Sequence, residues 1–130
     1  MTTELFYLAC VATFTALLWA PCILDRFGTW GLADTFGYPE RPPAQSPWAV
    51  RLMRAHANAI ENLAVFAALV LVAHLAGAHG EGTVLAAAVY FWARVVHALA
   101  YAFAVPYVRT LAFLAGFGAQ MVFAWQVLVA

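Results

Sequence analysis

Four apolar runs follow one another along the chain, separated by short polar stretches. Leu5 to Leu24, Asn62 to Gly80 and Thr110 to Ala130 contain no charged residue. The run from Gly82 to Val108 is interrupted by one charged residue, Arg94. A helix needs roughly 20 apolar residues to cross the hydrocarbon core of a bilayer. The pattern therefore predicts an all-α membrane protein in which four helices cross the bilayer.

Caps, prolines and glycines predict where these helices begin and end. Ser46 and Pro47 are typical of a helix N-cap and first turn, and Gly77 to Gly82 predicts a tight turn. The prolines and glycines between positions 25 and 47 favour a loop over a helix. We therefore expect one membrane domain over residues 1–130, a four-transmembrane-helix bundle with helices at about 4–24, 48–76, 83–104 and 109–129 and a loop at 25–47.

Composition supports the membrane assignment, because 66% of the residues are hydrophobic, 9% are charged and the mean hydropathy is +0.85. A water-soluble domain cannot bury so large a share of apolar surface. A cleaved signal peptide is the alternative interpretation of the first run, but such a peptide begins with a basic segment. Glu4 and no Lys or Arg precede this run, so we expect a membrane helix.

All six basic residues are arginines, and their distribution predicts the orientation in the membrane. With four spans, the segments after the first and third helices lie on one side, which holds the arginines at positions 26, 41, 51, 54 and 109. The opposite turn holds only Glu81, so the positive-inside rule makes the arginine side cytoplasmic. An Ala- and Arg-rich chain without Lys favours a bacterial inner membrane. We expect no nucleic-acid partner.

Neither the cysteines nor the histidines indicate a disulfide or a metal site. About 18 Å of helix separates Cys10 from Cys22, too far for a disulfide within one helix, and we interpret both as small buried hydrophobic residues. His74 and His79 lack further ligands at regular spacing. No metal is therefore expected.

Polar residues recur at helical spacing on the second and third predicted helices. On the third helix, Arg94, His97 and Tyr101 share one face. On the second helix, four polar residues share a face: Arg51, Arg54, Asn58 and Glu61. A charge that faces lipid costs about 2.5 to 3.5 kcal/mol on insertion scales. We therefore expect both faces to line a protein interior or a watery cleft, and to face one another.

Two interpretations of these polar faces are open. A buried ion pair between Arg94 and Glu61 would hold the bundle together and do nothing else. However, Arg109 joins the two faces at the same side of the membrane, and four arginines against one glutamate leave positive charge for an anionic ligand to neutralise. A ligand with carboxylates, an ammonium group and a thiol would match, with Glu61 on the ammonium and Asn58 and Tyr101 on neutral groups.

Three segments of the chain resemble the signatures of the MAPEG family, the membrane-associated proteins in eicosanoid and glutathione metabolism. The segments read Arg54-Ala-His-Ala-Asn58-Ala-Ile-Glu61-Asn62, Arg94-Val-Val-His97-Ala-Leu-Ala-Tyr101 and Arg109-Thr110. Length, span number and the positions of the motifs agree as well. The resemblance therefore covers essentially the whole chain and implies a MAPEG-like bundle that assembles as a homotrimer.

The resemblance also implies a cofactor and its site. Glutathione would bind between neighbouring subunits at the cytoplasmic side, and Arg109 resembles the arginine that the family places near the glutathione sulfur. The residues expected to bind glutathione are Arg54, Asn58, Glu61, Arg94, His97, Tyr101 and Arg109. Arg109 is the first candidate for stabilising the thiolate, and Arg94 is the second.

Two positions depart from the family's eicosanoid synthases. Ala57 stands where the prostaglandin synthase branch has a further Arg, and Asn62 stands where the leukotriene branch has Tyr. These departures argue against both synthases and favour a bacterial branch of the family.

Three functions compete on this basis. The leading hypothesis is a glutathione transferase or peroxidase that acts on lipophilic electrophiles from the bilayer, with an arginine-stabilised thiolate. The alternative is a non-catalytic MAPEG-fold protein that binds a lipid or a partner. A proton-coupled exporter that uses Glu61 is a third hypothesis, but it would not need three or four arginines.

Overall fold

The computed structural model describes residues 1–129, and this part of the chain is all-α. Ala130, the last residue of the fourth predicted span, lies outside the described residues. The chain forms five helices in order: α1 (Thr3–Leu17), α2 (Trp19–Phe36), α3 (Pro47–Leu75), α4 (Glu81–Ala102) and α5 (Val108–Leu128). Four segments are long and apolar enough to cross a membrane, with α1 and α2 together forming the first. The prediction of an all-α chain with four membrane helices is confirmed.

The helix of the first span is interrupted at two points. The helix is interrupted at Leu18, three residues before Pro21, which has no N–H group to donate to the helix. A second interruption lies at Gly31, whose φ of 79° and ψ of 169° suit only glycine. Residues 25–36 were expected in a loop, but α2 continues through them to Phe36.

Hydrogen bonds hold the connecting segment after α2 against that helix. The Trp30 indole N–H donates to the carbonyl of Pro43 at 2.6 Å, and the Gln45 amide donates to the carbonyl of Cys22 at 3.0 Å. The Asp25 carboxylate accepts hydrogen bonds from the backbone N–H and the hydroxyl of Ser46. Ser46 is the N-cap of α3, so this carboxylate also lies at the positive end of the α3 dipole.

Two apolar clusters fill the bundle at different heights. One is built around a stack of the Phe66 and Tyr90 rings, whose centroids lie 3.7 Å apart. The other joins the end of α1 and the start of α2 to the first half of α3 and the end of α4, with Leu52 and Ala98 among its members. Arg94 and His97 lie between these clusters in the sequence of α4, as Asn62 does in α3, whereas Asn58 and Tyr101 lie among the residues of the second cluster. The candidate site is therefore built at mid-height on α3 and α4 and extends toward the end that carries the arginines.

Candidate functional site

Arg94 is the deepest charged residue of the site. It is 3% exposed, and its Nη2 donates to the Oδ1 of Asn58 at 2.7 Å. Positions 87, 90, 94 and 98 repeat at helical spacing on the buried face of α4, so the periodicity that buries Ala87 and Tyr90 also buries the guanidinium. The Arg94 to Asn58 hydrogen bond brings the two predicted polar faces together at one point.

The positive charge of Arg94 has no carboxylate partner among the residues that the structure describes. Within residues 1–129 the one ion pair joins His79 to Glu4, at 3.6 Å. The ion pair between Arg94 and Glu61, one of the two interpretations of the polar faces, is therefore not formed within these residues. The Nε of Arg94 is buried without a hydrogen-bond partner, and so is the Nδ1 of His97, which is itself 3% exposed. Such groups are costly to bury unpaired, and a polar ligand that reached them would remove this cost.

A cavity of about 240 Å³, here named the inner pocket, opens beside these residues. It is lined by Asn58, His97, Tyr101, Arg109, Thr110 and Phe113. The Cζ of Arg109 lies 4.7 Å from the centroid of the Tyr101 ring, within the range of a cation–π contact. The rings of His97 and Tyr101 are 5.6 Å apart. The pocket thus combines cationic, hydrogen-bonding and aromatic groups from three helices.

The polar face predicted on α3 is divided in the structure. By helical geometry, Arg54 and Glu61 lie about 140° and 160° around α3 from Ala59, at the centre of its buried face. Both side chains are accordingly exposed on the protomer, whereas Asn58 is half-buried. The inner pocket therefore contains four of the seven predicted glutathione ligands. A fifth, Arg94, donates to one of these four, Asn58, but the pocket contains neither Arg54 nor Glu61.

Arg51 belongs to the same predicted face and turns toward the end of α4. Its Nε and Nη2 donate to the carbonyl of Ala102 at 3.1 and 2.9 Å. Ala102 is the last residue of α4, and the final carbonyls of a helix lack partners within the helix and attract cations. Arg51 thus ties the start of α3 to the end of α4, next to the inner pocket.

A chain of hydrogen bonds links the site to α5. The Asn62 amide donates to the carbonyl of Asn58 at 2.9 Å, and the buried Gln120 donates to the carbonyl of Asn62 at 3.1 Å. Gln120 is thus an interhelical hydrogen-bond donor between α5 and α3. The network fixes the height of Asn58, and through it the position of the Arg94 guanidinium.

Sequence reasoning missed Phe113 as a wall of the inner pocket. The signal was present, since Phe113 follows Arg109 by four residues and so shares its face of α5. It also missed Asp25, whose contact with Ser46 depends on the fold of the connecting segment. No spacing rule relates two residues across such a segment.

Two of the histidines outside the pocket, His74 and His79, lie together at the opposite end of the bundle. The His74 and His79 rings lie 5.5 Å apart, and the buried Glu4 accepts a hydrogen bond from Thr83 at 2.8 Å. Within the described residues, no group of three or more His, Cys, Asp or Glu side chains is placed to hold a metal ion.

Comparison with protein-family models matches residues 6–129 of the chain to the family described as MAPEG family. No curated protein and no solved structure matches the chain.

Proposed function

Because the chain belongs to the MAPEG family, we propose that it is a glutathione-dependent membrane enzyme of the transferase or peroxidase type. Its second substrate is a lipophilic electrophile that enters from the bilayer. The observation that carries this proposal is the inner pocket, where Arg109 lies over Tyr101. The pocket residue Asn58 accepts a hydrogen bond from the buried Arg94, which no carboxylate in the described part of the chain neutralises. Glutathione, when bound there, supplies the thiol that reacts with the electrophile.

The groups around the inner pocket fit an anionic tripeptide thiol. The unpartnered Nε of Arg94 and Nδ1 of His97 are buried polar atoms that a ligand would satisfy. Guanidinium groups hold carboxylates through paired hydrogen bonds, and Asn58 and Tyr101 offer neutral ones. A buried arginine without an acidic partner favours an anion over a neutral ligand.

Arg109 is the proposed catalytic residue. A thiol with a pKa near 8.5 is only a few per cent ionised at neutral pH, so a nearby cation raises the fraction of the nucleophilic thiolate. Arg109 lies at the pocket with its position fixed by the Tyr101 ring and is exposed on the protomer, so it is accessible to an incoming ligand. Arg94 is the alternative, although its Nη2 already donates to Asn58.

Arg54 and Glu61 are proposed to complete the site from a neighbouring subunit. Both are exposed on a helix long and apolar enough to span the membrane, and lipid contact with a charge is expensive. A homotrimer would cover this face of α3 and bring the Glu61 carboxylate to the ligand's ammonium group. We place the trimer in a bacterial inner membrane with the site toward the cytoplasm, because five of the six arginines lie at that end.

The test is ionisation of the glutathione thiol by the purified protein. At neutral pH, the wild-type protein should produce thiolate ultraviolet absorbance and release protons when glutathione is added. Arg109→Ala should still bind glutathione through the remaining arginines, but its thiolate signal should fall about tenfold, which corresponds to one pKa unit or about 1.4 kcal/mol. Arg41→Ala, which removes an exposed charge from the connecting segment, is the matched control and should behave like the wild type.

Two results would contradict this mechanism in different ways. A wild-type protein that binds glutathione but leaves its thiol protonated would reject the enzyme and favour a non-catalytic member of the family. Full thiolate absorbance in Arg109→Ala would transfer the role to Arg94.

A further inference from the structure

One face of α5 runs along the candidate site from its mouth into the membrane. Four residues recur on this face at helical spacing: Arg109, Phe113, Gly116 and Gln120. The first two line the inner pocket. A Cβ atom added at the third would lie 3.9 Å from the Cδ of Arg94, and the fourth donates to the carbonyl of Asn62 at 3.1 Å. The face therefore continues past the inner pocket and ends on α3.

Gln120 is a buried amide whose hydrogen bond is not required by the backbone of α3. It is 3% exposed, and a buried amide is costly unless it is hydrogen-bonded. Asn62 lies inside α3, where a carbonyl ordinarily accepts from the N–H group four residues later. Gln120 thus adds a second donor to a carbonyl that the helix already serves. The contact fixes the position of α5 relative to Asn62.

Asn62 transmits this contact to the site through its side chain. Its NH2 group donates to the backbone carbonyl of Asn58 at 2.9 Å and lies 3.4 Å from the Oδ1 of the same residue. Gln120 therefore holds the backbone of Asn62, and the side chain of Asn62 holds Asn58.

The amide of Asn58 has one orientation that suits these neighbours. A guanidinium has donors only, so the Nη2 of Arg94 at 2.7 Å requires the oxygen of Asn58 and not its nitrogen. The NH2 group of Asn62 approaches the same oxygen. The NH2 group of Asn58 is turned away from both, and it donates to no atom of residues 1–129. Because Asn58 lines the inner pocket, this NH2 group is a donor for a ligand.

We propose that Gln120 and Asn62 are positioning residues of the glutathione site. They hold the Asn58 amide with its oxygen on Arg94 and its NH2 group toward the inner pocket, where it donates to a carbonyl or carboxylate oxygen of glutathione. This inference rests on the proposed function, because it assigns the kind of ligand group that Asn58 contacts. An amide held in one orientation before binding loses less conformational freedom when the ligand arrives. The ammonium group of glutathione, which has donors only, does not bind to Asn58.

The first experiment measures the affinity for S-methylglutathione by calorimetry on the purified protein in detergent. This analogue has no free thiol, so its affinity does not depend on thiol ionisation. Gln120→Met keeps the length of the side chain and removes its donor, and it should weaken binding by about three- to tenfold, the effect of one net hydrogen bond. Gln126→Met is the matched control, because Gln126 lies on α5 outside the site. It should bind like the wild type.

A double-mutant cycle shows whether Gln120 acts through Asn58. Asn58→Ala removes the amide, so the further change Gln120→Met should weaken binding in that variant by less than about twofold. If Gln120 only supported the fold, its loss would have the same effect in both backgrounds and the two losses would multiply. Multiplying losses would overturn the positioning role.

The second experiment observes the amide itself and needs no binding by the variants. Asn58 and Asn62 are the only asparagines of the chain, so protein labelled with ¹⁵N in the asparagine side chains gives two NH2 signals by NMR. S-methylglutathione should shift the signal that Asn58→Ala lacks more than the other signal. Without ligand, Gln120→Met should move or broaden that signal, and Gln126→Met should not. A spectrum unchanged by Gln120→Met would also overturn the proposal.

The outcomes separate this inference from the proposed function. Coupling of Gln120 to Asn58 in a protein that leaves the glutathione thiol protonated would support the positioning role and reject only the thiolate mechanism. A thiolate signal in the wild type together with multiplying losses would reject only the positioning role. A wild-type protein that does not bind S-methylglutathione would reject the glutathione site and this inference with it.

Discussion

At the scale of single residues, the contact between Asn58 and Arg94 dominates the site. A neutral amide holds a buried guanidinium at 2.7 Å, where a carboxylate would have neutralised it. Asn58 thus satisfies one N–H of Arg94 and leaves the positive charge in place. Among the described residues the buried charge has no counter-ion, and this is the basis of the proposed anion site.

Two substitutions of Asn58 distinguish its contribution to protein stability from its contribution to glutathione binding. Asn58→Ala should lower the free energy of unfolding by about 1.5 to 3 kcal/mol, because a hydrogen bond to a buried charged group is lost. Asn58→Asp should retain the wild-type melting temperature or raise it, yet its carboxylate would neutralise Arg94 and weaken glutathione binding. Thermal denaturation in detergent and calorimetric titration of glutathione measure the two effects. An Asp variant with undiminished affinity would show that the charge of Arg94 does not attract the ligand.

At the scale of helices, α3 and α4 end in the same motif with different residues at its key position. After α3, Ala78 donates to the carbonyl of Ala73 and Gly77 to that of His74. After α4, Val105 donates to the carbonyl of Ala100 and Ala104 to that of Tyr101. Both pairs of hydrogen bonds form a Schellman motif, which needs a left-handed residue. Gly77 has a φ of 67°, and Ala104 adopts a φ of 56°.

Replacing alanine by glycine in one motif and glycine by alanine in the other should therefore change the free energy of unfolding in opposite directions. A left-handed conformation costs roughly 1 to 2 kcal/mol for a residue with a Cβ atom, part of which the greater freedom of unfolded glycine offsets. Ala104→Gly should raise stability by about 1 kcal/mol, and Gly77→Ala should lower it by a similar amount. A Cβ atom at Gly77 would meet nothing within 4 Å, so its effect isolates the backbone. Melting temperatures that move in the same direction for both variants would contradict this account.

At the scale of the whole molecule, α3 carries charges that form no ion pair within residues 1–129. Arg54 and Glu61 are both exposed on α3 and lie outside the inner pocket. Small residues beside them, such as Ala57 and Ala64, would allow helices of neighbouring subunits to approach closely. Assembly around this face would remove both charges from lipid.

The proposed assembly gives a prediction about mass and ligand affinity together. Native mass spectrometry of the detergent-solubilised protein should show a trimer. Glu61→Gln should weaken glutathione binding in that trimer without unfolding the protomer, because Arg94 depends on Asn58 and not on Glu61. A dominant monomer or dimer in several mild detergents would reject the assembly, and unchanged affinity in a trimeric Gln variant would remove Glu61 from the site.

Some features of the site were accessible from spacing and others were not. The positions of Arg94, His97 and Tyr101 follow from helical periodicity, and the structure gathers them at one face of α4. The same rule grouped Arg54 and Glu61 with Asn58, although α3 buries a face centred near Ala59. Periodicity fixes angles between residues on one helix, but it does not say which direction faces the neighbouring helices.

The sequence by itself determined the membrane class, the four spans and the family, because long uncharged runs and local motifs are properties of consecutive residues. Only the tertiary structure decided that Arg94 pairs with Asn58, that Arg51 holds the end of α4, and that Arg109 lies over Tyr101 at the inner pocket. Each of these contacts joins residues 8 to 51 positions apart and depends on how the helices rotate and pack against one another.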